Sequence, residues 1–315
     1  MTTSNSSLAL DAWLSAGERT THRGHPIFYR VHGSAENSVA LLCIHGFPTA
    51  SWDWHRIWDG LCDHFGCVIA ADMIGFGYSA KPVNYDYSIF DQADLHEDLL
   101  RELGVSRFHI LAHDYGDTVA QELLARNEDR VSRGDTNLTI ESCIFLNGGL
   151  FPEMHRARPI QKMMLSPLGP LLSRFFNEKQ FRRSFSAVFG TNTQPSDQEL
   201  SEFWHLIATN NGQRLFHKLL HYIPERRSHR KRWVGVLSTT DVPLKCINGP
   251  ADPVSGAHMA AHYREQVPGA NITLLADHIG HYPQIEAPLE TLTSIMDFHQ
   301  NSVRENGDSQ DDANA

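Results

Sequence analysis

Phe108-His109-Ile110-Leu111-Ala112-His113-Asp114-Tyr115-Gly116-Asp117-Thr118-Val119-Ala120 is the stretch on which the fold turns. Phe108 to Ala112 is a short apolar run of the kind that makes a buried strand, and Thr118 to Arg126 has the apolar spacing of a helix. Only a few residues separate them, so the chain must turn sharply at Asp114. A turn of this type pushes its central side chain out at the carboxyl end of a sheet, and small residues two positions to either side let strand and helix come close. Ala112 and Gly116 are those residues. Asp114 thus stands where a nucleophile elbow carries its nucleophile. A carboxylate, with an ordinary pKa of about 3.9, needs no base to be nucleophilic at neutral pH. The plainer alternative is that Asp114 only caps the following helix.

Working outward, apolar β-branched runs recur at Ile27 to Val31, Val39 to Ile44, Cys67 to Ala71, Cys143 to Leu146, Leu244 to Ile247 and Ile272 to Leu275, with helical patterns such as Phe90 to Leu103 between them. This alternation predicts an α/β fold with a mostly parallel central sheet flanked by helices. From Gly148 to about Thr240 it stops, and helix-like segments broken by Pro152, Pro159, Pro167, Pro170, Pro195 and Pro224 take over. The expected organisation is a core from residues 1–147 and 241–303, a helical cap over 148–240 inserted between two sheet strands, and a disordered acidic tail over 304–315.

Two later loops extend the site. Gly249-Pro250-Ala251-Asp252-Pro253 follows the strand ending at Ile247, and Asp277-His278-Ile279-Gly280-His281 follows the next one. Both place ionisable groups at the carboxyl ends of strands, where ligands gather. The order nucleophile, acid, histidine then reads as Asp114, Asp252 and a histidine, for which local chemistry leaves both His278 and His281 open. His45-Gly46-Phe47-Pro48-Thr49 follows the strand Val39 to Ile44 and is placed to aim the Phe47 N–H at the site, joining that of Tyr115 in an oxyanion hole.

With these residues in view, the chain resembles the α/β-hydrolase superfamily over nearly its full length, in particular the epoxide hydrolase and haloalkane dehalogenase branch that uses an aspartate nucleophile. The strings that carry the resemblance run from His113 to Leu124, from Asn147 to Glu153, from Arg232 to Gly235 and from His281 to Gln284. The resemblance implies Asp114 as nucleophile, His281 rather than His278 as base, Asp252 as its orienting acid, and an alkyl-ester intermediate hydrolysed by water. The branch's halide-binding Trp after the nucleophile and Asn in the first loop are here Tyr115 and Phe47, which favours epoxide hydrolysis over dehalogenation unless Trp52, Trp54, Trp204 or Trp233 supplies the donor. Epoxide hydrolases commonly use two cap tyrosines as proton donors. Tyr222, alone between residues 148 and 240, is the candidate leaving-group donor, or else an amphipathic core residue of the cap. A lactone-directed hydrolase and a binding or signalling module on the same fold are the remaining readings.

Composition sets limits on the rest. The 315 residues carry 27 Lys and Arg against 37 Asp and Glu, a net charge of −10 that disfavours nucleic acid as a partner. Residues 151–235 run the other way, with 14 basic and 6 acidic side chains. Their densest run, Arg226 to Arg232, is either a solvated face or a contact for an anionic substrate, a partner or the headgroups of a peripheral membrane. No apolar run approaches the roughly 20 residues of a membrane span, and Met1 to Ala16 lacks the pattern of an export signal. With five scattered cysteines, the expectation is a cytoplasmic enzyme acting on a small electrophile of anionic or lipid-like character. No metal or organic cofactor is expected: His217/His221 and His258/His262 have metal-compatible spacing but no motif Glu. Gly75 to Ala80 resembles a dinucleotide loop, but Pro82 removes the helix start such a loop needs. No serine stands at an elbow of this kind.

Overall fold

The computed structural model describes the backbone of residues 6–36 and 38–313, and the side chains of 10–36 and 38–301. Its strands are β1 (Glu18–His22), β2 (His25–Gly33), β3 (Ala40–Ile44), β4 (Cys67–Ala71), β5 (Arg107–His113), β6 (Thr139–Leu146), β7 (Leu244–Asn248) and β8 (Asn271–Leu274). They form one sheet in the order β1-β2-β4-β3-β5-β6-β7-β8. β1 and β2 are antiparallel to their neighbours and all pairings from β4 to β8 are parallel. The apolar runs of β3, β4 and β5 are buried on both faces, as helices packed on both sides of a parallel sheet require.

The helices are α1 (Ser6–Ser15), α2 (Trp58–His64), α3 (Ile89–Glu102), α4 (Tyr115–Val131), α5 (Pro159–Met164), α6 (Gly169–Phe175), α7 (Glu178–Ser186), α8 (Asp197–Ala208), α9 (Phe216–Leu219), α10 (Tyr222–Ser228), α11 (Arg230–Thr239), α12 (Ala257–Gln266), α13 (Pro283–Glu286) and α14 (Pro288–Ala313). α3 begins where Ser88 accepts the Asp91 N–H at 3.1 Å, a side-chain cap for an otherwise orphaned donor. α5 to α11 fill the interval between β6 and β7, with no strand among them. α11 packs on the sheet layer: the Trp233 indole N–H donates to Glu122 of α4 at 2.8 Å, and the Arg232 guanidinium bonds the same carboxylate. Trp233 is buried there. α14 runs as far as Ala313; residues 314 and 315 lie outside the described ones.

α4 meets the sheet at Gly116. A Cβ there would stand 2.3 Å from the Ile44 carbonyl oxygen and 2.8 Å from that of His45, both backbone atoms at the exit of β3. Gly116→Ala therefore forces α4 away from β3. Overpacking of about 1–3 kcal/mol outweighs the roughly 1 kcal/mol that alanine adds in helix propensity. The expected result is a melting temperature lowered by several degrees; an equal or higher one would show that the approach is not tight.

Candidate active site

Asp114 sits at the junction of β5 and α4 with φ +49° and ψ −105°, a backbone conformation few non-glycine residues adopt. Its own N–H donates to Leu146 O at 3.3 Å and its carbonyl accepts the Asp117 N–H at 3.2 Å. The residue occupies the cap position of α4, but its side chain makes no capping bond. Instead Oδ2 accepts the Phe47 N–H at 3.1 Å, and Oδ1 lies 3.8 Å from His281 Nε2. The carboxylate is buried beside a helix N-terminus, whose dipole favours negative charge.

His281 Nδ1 is 2.7 Å from Asp252 Oδ2. Burial by itself opposes the imidazolium, but the charge and hydrogen bond of Asp252, with Asp114 and Glu286 behind them, push the His281 pKa up to about 9. Burial likewise opposes ionisation of Asp252, yet His281 and the donors around it bring its pKa down to about 2. Those donors are the Val254 N–H at 2.7 Å, the Ser255 hydroxyl at 2.7 Å and the Asn147 amide at 3.1 Å. Asn147, at φ +39°, also pairs with the backbone of Gly249 in both directions, so it joins the end of β6 to the loop that carries the acid. His278 is exposed on its loop, and it is His281 that meets the two carboxylates.

The loop after β3 lies directly on the elbow. A Cβ on Gly46 would come within 2.8 Å of His113 Nδ1 and 3.0 Å of Asp114 Cβ, so glycine is what lets the Phe47 N–H reach the carboxylate. Asp53 secures the loop, accepting from Thr49 Oγ1 at 2.6 Å and the Gly46 N–H at 3.3 Å. Tyr115 is the first residue of α4, where a backbone N–H has no acceptor within the helix. The glycine-containing loop at 75–80 packs beside the site, with Phe76 5.5 Å from the Tyr115 ring and 6.4 Å from Phe47.

A cavity opens over Asp114 and His281. The inserted helices wall it with Ile160, Met164, Phe176, Phe181, Phe185 and Leu220, and Arg158 is the one arginine or lysine in its lining. None of Trp52, Trp54, Trp204 and Trp233 lines it. Tyr222 packs beside the elbow, its ring 4.7 Å from that of Tyr115 and its hydroxyl near enough to Asp114 to feel that charge. Its hydroxyl is buried and makes no hydrogen bond of good geometry. Burial and the charge of Asp114 push the phenol pKa upward, keeping it an O–H donor, while Arg226, 4.4 Å from the ring centroid, pulls the other way.

Sequence reading gave no site role to His155 or Asp53, and named Asn147 and Arg226 only within longer strings. Both His155 ring nitrogens are buried without a hydrogen bond. Burial, with Arg226 and His281 nearby, pushes its pKa down to about 2, so the ring is neutral. The neighbouring Arg156 N–H donates to Val254 O, which pins this segment beside the acid loop. Of the histidine pairs with metal-compatible spacing, His258/His262 is engaged elsewhere: His258 contacts Met154 O, and His262 faces Glu153 and Glu265.

An eight-stranded, mostly parallel sheet with a strained elbow after β5 and an acid and a histidine after β7 and β8 places the chain in the alpha/beta hydrolase fold family, which it matches over residues 39–288 and to which it belongs. Its particular likeness is to the mesoderm-specific transcript homolog protein of Bos taurus, 45% identical over 300 residues that span 92% of this chain and 88% of that one. Among solved structures it is similar to haloalkane dehalogenase DbeA from Bradyrhizobium elkani USDA94 (TM-score 0.76, 22% identity, 92% of this chain and 99% of that one). It is similar also to epoxide hydrolase CorEH (TM-score 0.71, 18% identity, 90% and 98%).

Proposed function

We propose that this hydrolase opens an epoxide through an alkyl ester on Asp114. The observation that carries the reading is the placement of the Asp114 carboxylate between the Phe47 N–H and the His281–Asp252 pair, where a serine hydrolase would hold a hydroxyl. In the first step an Asp114 oxygen attacks a ring carbon of the substrate and the C–O bond of the epoxide breaks. The alkoxide takes a proton from Tyr222. Forming the ester removes the Asp114 charge, and His281 releases its proton to solvent. In the second step the neutral His281 takes a proton from water, and the hydroxide adds to the Asp114 carboxyl carbon. The tetrahedral oxyanion sits against the N–H groups of Phe47 and Tyr115; on collapse the departing alkoxide takes the proton from His281 and leaves as the diol, and the carboxyl proton returns to Tyr222, which restores the carboxylate. Asp252 holds the imidazole tautomer and stabilises its cation.

The inserted helices act in this reading as a cap that excludes water from the alkylation step, and their aromatic wall suits an apolar substrate. The lack of a tryptophan N–H in the cavity lining favours an oxygen leaving group over halide. Tyr222→Phe tests that choice. With a panel of epoxides the variant is expected to lose about 10²- to 10⁴-fold in kcat, the range of general acid catalysis. Any slower turnover of haloalkanes, whose leaving group needs no proton, should be untouched. If Tyr222→Phe leaves epoxide turnover unchanged, or if only haloalkanes or lactones react, the epoxide reading fails.

A further inference from the structure

The basic run that stands out in the sequence is largely engaged within the protein. Arg226 is buried against the Gly149 carbonyl, Arg230 pairs with Glu153, and Arg232 bridges Glu122 at 2.7 Å and Asp129 at 2.9 Å. Among the described residues Arg227 and Lys231 of that run have no ion pair, but a larger group of unpaired cations lies elsewhere. Arg156, Arg158, Lys162, Arg174, Lys179 and Arg183 sit on and around α5, α6 and α7, and among the described residues none has a carboxylate within ion-pair distance. Between residues 156 and 183 the only acid is Glu178, and Arg182 holds it at 2.8 Å.

The same segment exposes apolar surface. Met163 is 49% exposed, Leu168 62%, Leu171 55% and Phe175 67%, half of the large hydrophobic side chains exposed among the described residues. Leu168, Leu171 and Phe175 recur at i, i+3 and i+7, so they share one face of α6. The opposite side faces inward: Ser173 is buried and accepts the His217 N–H, and Phe176 lines the cavity. A patch of this kind, apolar and ringed by one sign of charge, is an interaction surface. A second copy of the chain would bring like charges together.

We propose that the α5–α6 face docks onto an anionic lipid surface, the leucines and Phe175 entering the headgroup region and the five exposed cations, all but the cavity-lining Arg158, meeting lipid phosphates and carboxylates. Docking there presents to the lipid the two helices whose inner sides, through Ile160, Met164 and Phe176, wall the cavity. A substrate dissolved in the bilayer then has the shortest path to Asp114, a corollary that rests on the function proposed above; the docking itself does not.

Co-sedimentation of the full chain with phosphatidylcholine vesicles, with and without about 30% phosphatidylserine, tests the surface without any turnover, so its failure and that of the epoxide reading are separable. At about 0.1 M salt, binding is expected to be at least tenfold tighter to the anionic vesicles. Leu168→Ser/Leu171→Ser/Phe175→Ser, all exposed positions, should weaken binding to both by about tenfold or more with unchanged melting temperature. Lys162→Glu/Arg174→Glu/Lys179→Glu should remove the anionic preference, and Arg227→Glu/Lys231→Glu should not. The proposal is overturned if the wild type binds neither vesicle, or if the Arg227/Lys231 pair has the larger effect. It is equally overturned if the serine triple changes only the oligomeric state, which would make the occupant a protein.

Discussion

His281→Gln is expected to leave the protein alkylated. Incubated with a reactive epoxide, the variant should gain the mass of one substrate molecule in its intact-protein spectrum, with the addition mapping to the peptide that contains Asp114. Wild type under the same conditions should turn over and show little adduct. The expectation comes from what His281 does at each step. With its pKa at about 9, the free-enzyme imidazole is protonated at neutral pH and sits 3.8 Å from the nucleophile, so it has no proton to take in the alkylation step. Losing it should slow alkylation little, because the cation stabilises the ground-state carboxylate at least as much as the transition state in which that charge is being spent. Hydrolysis of the ester needs a base for water, and there the loss should reach roughly 10³- to 10⁴-fold. The two steps separate, and the ester accumulates. Equal losses in both steps with no adduct would mean that water attacks the substrate directly and that Asp114 is itself a base.

How much of this was legible in the sequence depends on how local each signal is. Seven of the eight strands were visible as apolar runs. β1, Glu-Arg-Thr-Thr-His, was not, because it is a polar edge strand specified by its antiparallel register with β2, Glu18 opposite Tyr29 and His22 opposite His25, and not by any apolar period of its own. Asp114 and Asp252 were legible because each follows a recognisable strand; the same logic reached only the loop that holds His278 and His281, and the family resemblance chose between them. The Gly46 loop, too, was legible from the strand before it. His155, Asn147 and Asp53 were not. A histidine near the start of an insert or an asparagine after a strand has no local mark; Gly249, which pairs with Asn147, and Val254, which holds the backbone of Arg156 next to His155, arrive from more than 90 residues further along the chain. The basic run at 226–232 misled for the same reason in reverse. Its density is local, but the acids that pair with it, Glu122, Asp129 and Glu153, are more than 70 residues distant. Sequence shows where charge is dense; only the fold shows which charge is left over.

Asp114→Asn should abolish turnover, by about 10⁴-fold or more, because the amide is a poor nucleophile and nothing else on the cavity floor replaces it. Asparagine keeps the shape, tolerates the positive φ and preserves an oxygen for the Phe47 N–H, so the loss should come without a fall in melting temperature. The same variant should also lower the pKa of His281, followed by NMR of the imidazole resonances. The direction follows from the balance of causes: burial favours the neutral ring, Asp252 and Asp114 favour the cation, and removing one carboxylate charge leaves burial less opposed. Alkylation of the wild type makes the same change, since an ester carries no charge. The free enzyme then holds a protonated His281 paired with its nucleophile, and forming the ester lowers the affinity of that ring for its proton at the moment a base is required. An unaltered His281 pKa in Asp114→Asn would show that Asp252 and Glu286 alone set it. The imidazole would then remain protonated through the ester state, and hydrolysis would need alkaline pH.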